Sequence, residues 1–133
     1  MAARRARTHC FAFDDITPPY DFAPALTEYV IYPWIREGDM LARALRVASG
    51  AVVQAEIRSI GTLRRPRLEV ALSGAGPITP RDVDEVRATL RRCLMLDADL
   101  RPFYALARRD PVLRAAVGTA RGGRGKLYPD VFE

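Results

Sequence analysis

Few residues of this chain belong to the types that do chemistry. His9 is the single histidine, so a histidine-based metal centre or a Ser-His-Asp triad would rest on that residue alone. Cys10 and Cys93 lie far apart, form neither a CxxC nor a ligand cluster, and suit the free thiols of a reducing cytoplasm. Cys93 falls on an apolar helical stripe without a local base, the setting of a buried, inert thiol rather than a nucleophile. The carboxylates have local uses: Asp21, Asp82, Asp99 and Asp110 stand where helices begin, and Glu56 and Glu69 alternate with arginines along strands. No separated acid/base pair emerges. We therefore expect no catalytic residue, no metal site and no cofactor.

One segment has the makings of a binding element. Gly118, Gly122, Gly123 and Gly125 interleave with Arg121, Arg124 and Lys126. Glycine-rich backbone lets N–H groups approach phosphate while the cations neutralise it, which makes Arg121, Arg124 and Lys126 candidate DNA-binding residues. The alternative is a solvated basic linker. The spacing is not that of a GxxxxGK[ST] phosphate loop, so a nucleotide site is not expected. Arg64, Arg65 and Arg67 form a smaller patch that reads as a charged edge discouraging sheet pairing. Arg4, Arg5 and Arg7 read as a basic tail.

With 133 residues, the chain has room for one ordinary domain, and 49% hydrophobic with 28% charged residues is a globular composition. No apolar run nears the roughly 20 residues of a membrane span, and the stretch Cys10–Phe13 is too short for the centre of a signal peptide. The net charge of +5 sits at the two ends, whereas residues 8–113 hold as many acidic as basic side chains. A nucleic-acid-binding domain usually carries a basic face, so the middle reads as a scaffold.

The elements emerge from periodicity. Alternation of His9, Phe11 and Phe13 suggests a first strand over Thr8–Phe13. Thr17-Pro18-Pro19-Tyr20 breaks regular structure. Asp21 can cap a helix over about residues 21–32, with Phe22, Leu26, Tyr29 and Val30 at helical spacing; the β-branched run at 30–31 keeps a strand open. From Met40 to Ser73 the period is two. Three antiparallel strands are expected there, with Leu41, Leu45, Val53, Ala55, Ile57, Leu68, Val70 and Leu72 facing a core. Thr79 then caps a helix with Pro80 at its first position and Asp82 at its third, close to a capping box. Val83, Val86, Leu90, Cys93 and Leu94 form its apolar stripe. Two short helices come next, Leu100–Arg109 behind Asp99 and another opened by Asp110-Pro111 and ending at Gly118. Asp130 resembles the cap of a further helix beginning Val131-Phe132-Glu133, which leads us to expect that the chain stops inside a larger protein.

Several strings in this frame have a familiar look: Pro18-Pro19-Tyr20-Asp21-Phe22 before a helix, Arg65-Pro66-Arg67-Leu68-Glu69-Val70 in a strand, Leu96–Leu106, and Arg109-Asp110-Pro111-Val112-Leu113. Over roughly residues 17–133 the chain resembles the N-terminal domain of DNA-3-methyladenine glycosylase II, of the helix-hairpin-helix superfamily; residues 96–113 are the most specific part. The resemblance implies an α+β fold like the TATA-binding-protein repeat, a curved antiparallel sheet with helices packed on one face, and it favours the helix at 21–32. It also implies a parent enzyme that flips an alkylated base out of duplex DNA and cleaves its glycosidic bond with the help of an Asp. That Asp and the helix-hairpin-helix have no counterpart in residues 1–133. Some relatives lend the pocket an aromatic from the first helix; the matching position here is Glu28, which leaves its neighbour Tyr29 as the pocket-lining candidate.

The resulting expectation has three segments. Residues 1–16 form a basic arm and first strand, 17–96 an α+β sheet domain, and 97–133 short helices and a Gly/Arg linker leading to a helical catalytic domain. The chain would be a non-catalytic, cytoplasmic support for that domain in base excision repair, inactive alone. Its partners would be the helix-hairpin-helix domain and, through the parent enzyme, duplex DNA, with no membrane and with self-association of the isolated unit. The alternative of another class is a free-standing TATA-box-protein-like interaction module. A sheet-based binder of bent duplex DNA is a third reading, disfavoured by the neutral middle.

Overall fold

A computed structural model of the chain describes residues 7–27 and 32–117. The elements in chain order are β1 (Arg7–Phe13), α1 (Ala23–Thr27), β2 (Ile35–Glu37), β3 (Met40–Arg46), β4 (Val52–Ser59), β5 (Leu68–Gly74), α2 (Pro80–Cys93), α3 (Arg101–Ala107) and α4 (Pro111–Val117). The five strands make one antiparallel sheet in the order β1-β5-β4-β3-β2. The chain is thus α+β, with β1, β3, β4 and β5 where period-two alternation places them.

Register puts the alternating apolar residues in rows. Phe11 lies opposite Val70, which lies opposite Ile57, which lies opposite Leu41; Phe13 continues the same face beside Leu68. On that face Phe13, Leu41, Ala55, Ile57, Leu68, Val70 and Leu72 are completely buried. Helix α2 covers it with Val83, Val86, Leu90 and Cys93, all within the same cluster. Each larger aliphatic side chain buried in this way contributes about 1.5–3 kcal/mol. Helix α2 starts as its sequence dictates. Thr79 Oγ1 accepts from Asp82 N–H at 3.1 Å and Asp82 Oδ2 accepts from Thr79 N–H at 3.0 Å, a complete capping box. These hydrogen bonds hold the Asp82 carboxyl below the usual carboxylate range, the Thr79 backbone N–H first among them. Ser49 and Glu85 tie this helix start to the β3–β4 turn: Ser49 Oγ donates to Asp82, and Ala48 N–H donates to Glu85.

Helix α2 ends without the residue that usually announces an ending. Met95 occupies the left-handed region at φ 53°, Leu96 N–H donates to Arg91 C=O at 3.0 Å, and Met95 N–H donates to Arg92 C=O at 3.1 Å. This is a Schellman closure with methionine where glycine is customary. Two arginines of α2 also roof the aromatic end of β1. The Arg87 guanidinium stands 4.4 Å from the Phe11 ring centre, and that of Arg91 stands 5.3 Å from Phe13.

Three expectations need correction. The helix over about 21–32 is shorter at both ends within the described residues: α1 begins at Ala23, because Asp21 Oδ1 accepts the Ala23 N–H, and the backbone is in a turn at Tyr32. A fifth strand, β2, pairs with β3 through Ile35↔Ala42 and Glu37↔Met40, and three residues are too few to leave a periodic trace. The Arg64–Arg67 stretch joins β4 to β5, both interior strands, so it guards no sheet edge; the edges belong to β1 and β2.

Candidate functional site

The sequence candidates do not meet in one place. Arg121, Arg124, Lys126 and Tyr29, with Glu28, lie outside the described residues. His9 and Cys10 are exposed on β1, while Cys93, the last residue of α2, is completely buried. Among the described residues no group of three or more His, Cys, Asp or Glu could hold a metal ion, and no helix is long and apolar enough to cross a membrane.

What the fold assembles instead is a groove of about 700 Å³, within the size range of sites for small ligands or side chains. Its wall is built from segments far apart in sequence: the Pro18-Pro19 turn, Leu63 and Arg64 of the β4–β5 loop, and the α3–α4 hairpin, which supplies Arg101, Tyr104, Ala107, Arg108, Arg114 and Val117. The lining divides by chemistry into apolar side chains, the floor, and four arginines, the rim. Among the described residues no carboxylate lines the groove.

Local structure fixes these pieces. The β4–β5 loop folds back on itself through Ile60 N–H to Arg67 C=O at 2.9 Å, Thr62 N–H to Arg65 C=O at 3.0 Å and Arg65 N–H to Thr62 Oγ1 at 3.1 Å. It is moored to the proline turn where Tyr20 N–H donates to Leu63 C=O at 3.1 Å. Gly61 makes the fold-back possible by space alone: a Cβ there would lie 2.3 Å from Arg67 N and 2.5 Å from Arg65 O. On the opposite wall, Asp110 Oδ1 caps α4 by accepting the N–H of Val112 at 2.8 Å and of Leu113 at 3.2 Å. Asp99 Oδ1 accepts the Arg101 N–H at 3.0 Å and pairs with Arg101 Nε at 2.8 Å. That pairing holds the Arg101 guanidinium above its already high pKa, so the rim charge is permanent.

The rim arginines are not equivalent. Arg101 is held by Asp99, and Arg114 donates to the Arg108 carbonyl. The Arg64 and Arg108 side chains have no polar partner among the described residues, and both are exposed. The groove therefore offers two free guanidiniums above an apolar floor. Arg65, Arg67 and Arg109 lie in the same two segments. Sequence reasoning missed this concentration because it summed charge along the chain. The fold gathers arginines from the loop and the hairpin to one end, and of the nearby carboxylates Asp99 pairs with Arg101 while Asp110 caps α4. On the solvent face of the sheet, by contrast, Glu37, Glu56 and Glu69 outnumber Arg46 and Arg58, with Arg58 directly opposite Glu69.

The end of α2 is held by a small ionic cluster. Arg91 pairs with Asp15 Oδ1 at 2.5 Å and with Asp97 Oδ1 at 2.7 Å, joining the segment after β1 to the segment before α3. The Arg91 hydrogen bond keeps the Asp15 carboxyl below the usual range, and Asp15 in turn raises Arg91. Thr17 N–H donates to Leu96 C=O at 3.0 Å alongside this cluster. Together these contacts position the proline turn against the hairpin.

The hairpin itself is barely covered. Ala107 is the one buried residue of α3, and α4 has none. Phe103, Leu106 and Val112 are 45%, 58% and 76% exposed. Compared with protein-family models, curated proteins and solved structures, the chain matches none.

Proposed function

We propose that this chain is the non-catalytic N-terminal domain of a DNA glycosylase that removes alkylated bases, a TATA-binding-protein-like unit that buttresses a helical catalytic module in the cytoplasm. One observation carries the reading. The α3–α4 hairpin, which holds the most specific part of the resemblance, exposes Phe103, Leu106 and Val112. Two helices of seven residues each are far below the length at which a helix sustains itself in water, so they need an apolar partner surface. A helical module packed on the hairpin would supply one, and it would bring the carboxylate and the base pocket that excision of this kind depends on.

The test is the reading frame beyond the codon for Glu133 together with an excision assay. A frame that continues into a helix-hairpin-helix, a Gly/Pro-rich loop and an Asp supports the proposal, provided the full product releases 3-methyladenine from methylated duplex and the present chain does not. Release by the present chain alone overturns it. The same exposed hairpin also suits a free-standing interaction module without repair activity, and that reading takes over if the frame stops.

A further inference from the structure

We propose that the arginine-rimmed groove is a docking site for an acidic segment of a partner protein. The segment would seat an aromatic or branched apolar side chain on the floor and place flanking carboxylates on Arg64 and Arg108. The proposal does not depend on the repair reading, because it rests on the groove and not on the resemblance.

Three features of the groove select this chemistry. The first is the floor. Pro18, Pro19, Leu63 and Ala107 present apolar side chains, and Leu63 remains 43% exposed. Water over such a floor is displaced favourably by an apolar side chain. The second is the rim. With four arginines and, among the described residues, no carboxylate in the lining, the groove is cationic, and an incoming cation would be repelled. Arg64 and Arg108 are free, and each presents a planar fork that donates two N–H bonds to a carboxylate. The third is stiffness. The Gly61 fold-back and the Tyr20–Leu63 hydrogen bond fix the loop wall, so that side of the groove needs little ordering on binding.

Duplex DNA fits these features less well. A phosphate backbone has no apolar group for the floor, and its contacts spread along a ridge or strip of cations instead of ringing a hollow. The solvent face of the sheet carries more carboxylates than arginines and offers no such strip. Carboxylates flanking an apolar anchor use both parts of the groove at once.

The experiment is calorimetric titration of the whole chain with three short synthetic peptides. One has tryptophan and leucine flanked by glutamates, one has both anchors changed to alanine, and one has the glutamates changed to lysine. The first is expected to bind, with affinity falling as salt is raised; the other two should bind at least about tenfold more weakly. The double variant Arg64→Glu with Arg108→Glu should weaken the first peptide by about tenfold or more at an unchanged melting temperature, since neither side chain holds the fold. Amide shifts induced by the peptide should cluster at Leu63, Tyr104, Ala107 and Val117, which reports the site without any variant. Equal binding of the lysine peptide, an unchanged affinity in the double variant, or shifts located elsewhere overturns the proposal. So does a duplex oligonucleotide that binds the chain more tightly than the peptide and loses that binding in the double variant, because the arginines would then serve phosphate.

Discussion

Replacing Gly61 by alanine should be far more costly than an exposed loop substitution ordinarily is. The added Cβ would meet Arg67 N at 2.3 Å, Arg65 O at 2.5 Å and Pro66 C at 2.9 Å, all main-chain atoms that cannot rotate away. Restoring ordinary contact requires the two limbs of the loop to part by about 1 Å. Overpacking of this order costs about 1–3 kcal/mol. The separation also strains the Thr62–Arg65 and Ile60–Arg67 hydrogen bonds, each worth about 1 kcal/mol net. We expect a total loss of about 2–3 kcal/mol, or about 10 °C in melting temperature for a chain of this length. Urea unfolding followed by the fluorescence of Trp34, the single tryptophan, should show the midpoint falling at constant slope. Gly61→Ser should behave as Gly61→Ala does, because the obstacle is the Cβ and not the hydroxyl beyond it. A loss below about 0.5 kcal/mol for either variant refutes the steric argument.

Two further outcomes are expected. Asp15, held below its ordinary pKa of 3.8 by Arg91, stabilises the fold above that pH and loses its contribution as the pH falls through the lowered folded-state value; because Asp15 is largely exposed, the effect should stay below about 1 kcal/mol. Asp15→Asn should flatten that part of the acid-unfolding curve, and Arg91→Gln should flatten it equally; a curve unchanged by either removes the pair from the acid response. At Met95 the left-handed backbone disfavours a side chain, so Met95→Gly should be neutral or raise stability by up to about 1 kcal/mol, whereas Met95→Val should lower it by about 1–2 kcal/mol. Thermal melts decide this, and the opposite order refutes it.

The sequence revealed its regular elements where one local rule acted alone. Thr79, Pro80 and Asp82 spell out a helix start, and the alternation from Met40 to Ser73 spells out three strands, because capping and pleating are properties of near neighbours. Elements vanished from view where a rule was broken or the stretch was short. Met95 ends α2 in the conformation glycine usually marks, and β2 has too few residues for any period. Gly61 reads as a turn signal in the sequence, although the need it meets is room for the Arg65 and Arg67 backbone. The groove was the least legible feature of all. Pro18, Leu63 and Arg108 are ordinary residues in their own segments, and only tertiary structure sets an apolar floor among arginines whose charge cancels in the linear tally. Arg43 teaches the same lesson. It shares the parity of Leu41 and Leu45 and is 3% exposed, with its guanidinium 5.2 Å from the Trp34 ring centre, a placement invisible until both partners are positioned.

The strand order has a consequence for how the chain comes together. Strands β3, β4 and β5 are neighbours in sequence and in space, so each can zip onto the last through a short loop. Strand β1 is different: Phe13 waits for Leu68, and the two meet only after the whole β3–β5 meander exists. Closing that long loop is the slowest step the topology imposes, since its entropy is lost before the contact rewards it. During synthesis the first strand, with Phe11 and Phe13 uncovered, would spend the emergence of the intervening segments unpaired. The arginines that will roof those rings arrive later still, on α2. A chain stalled before α2 therefore exposes a bare aromatic strand edge, which makes premature release, more than any point change in the finished domain, its most direct route to aggregation.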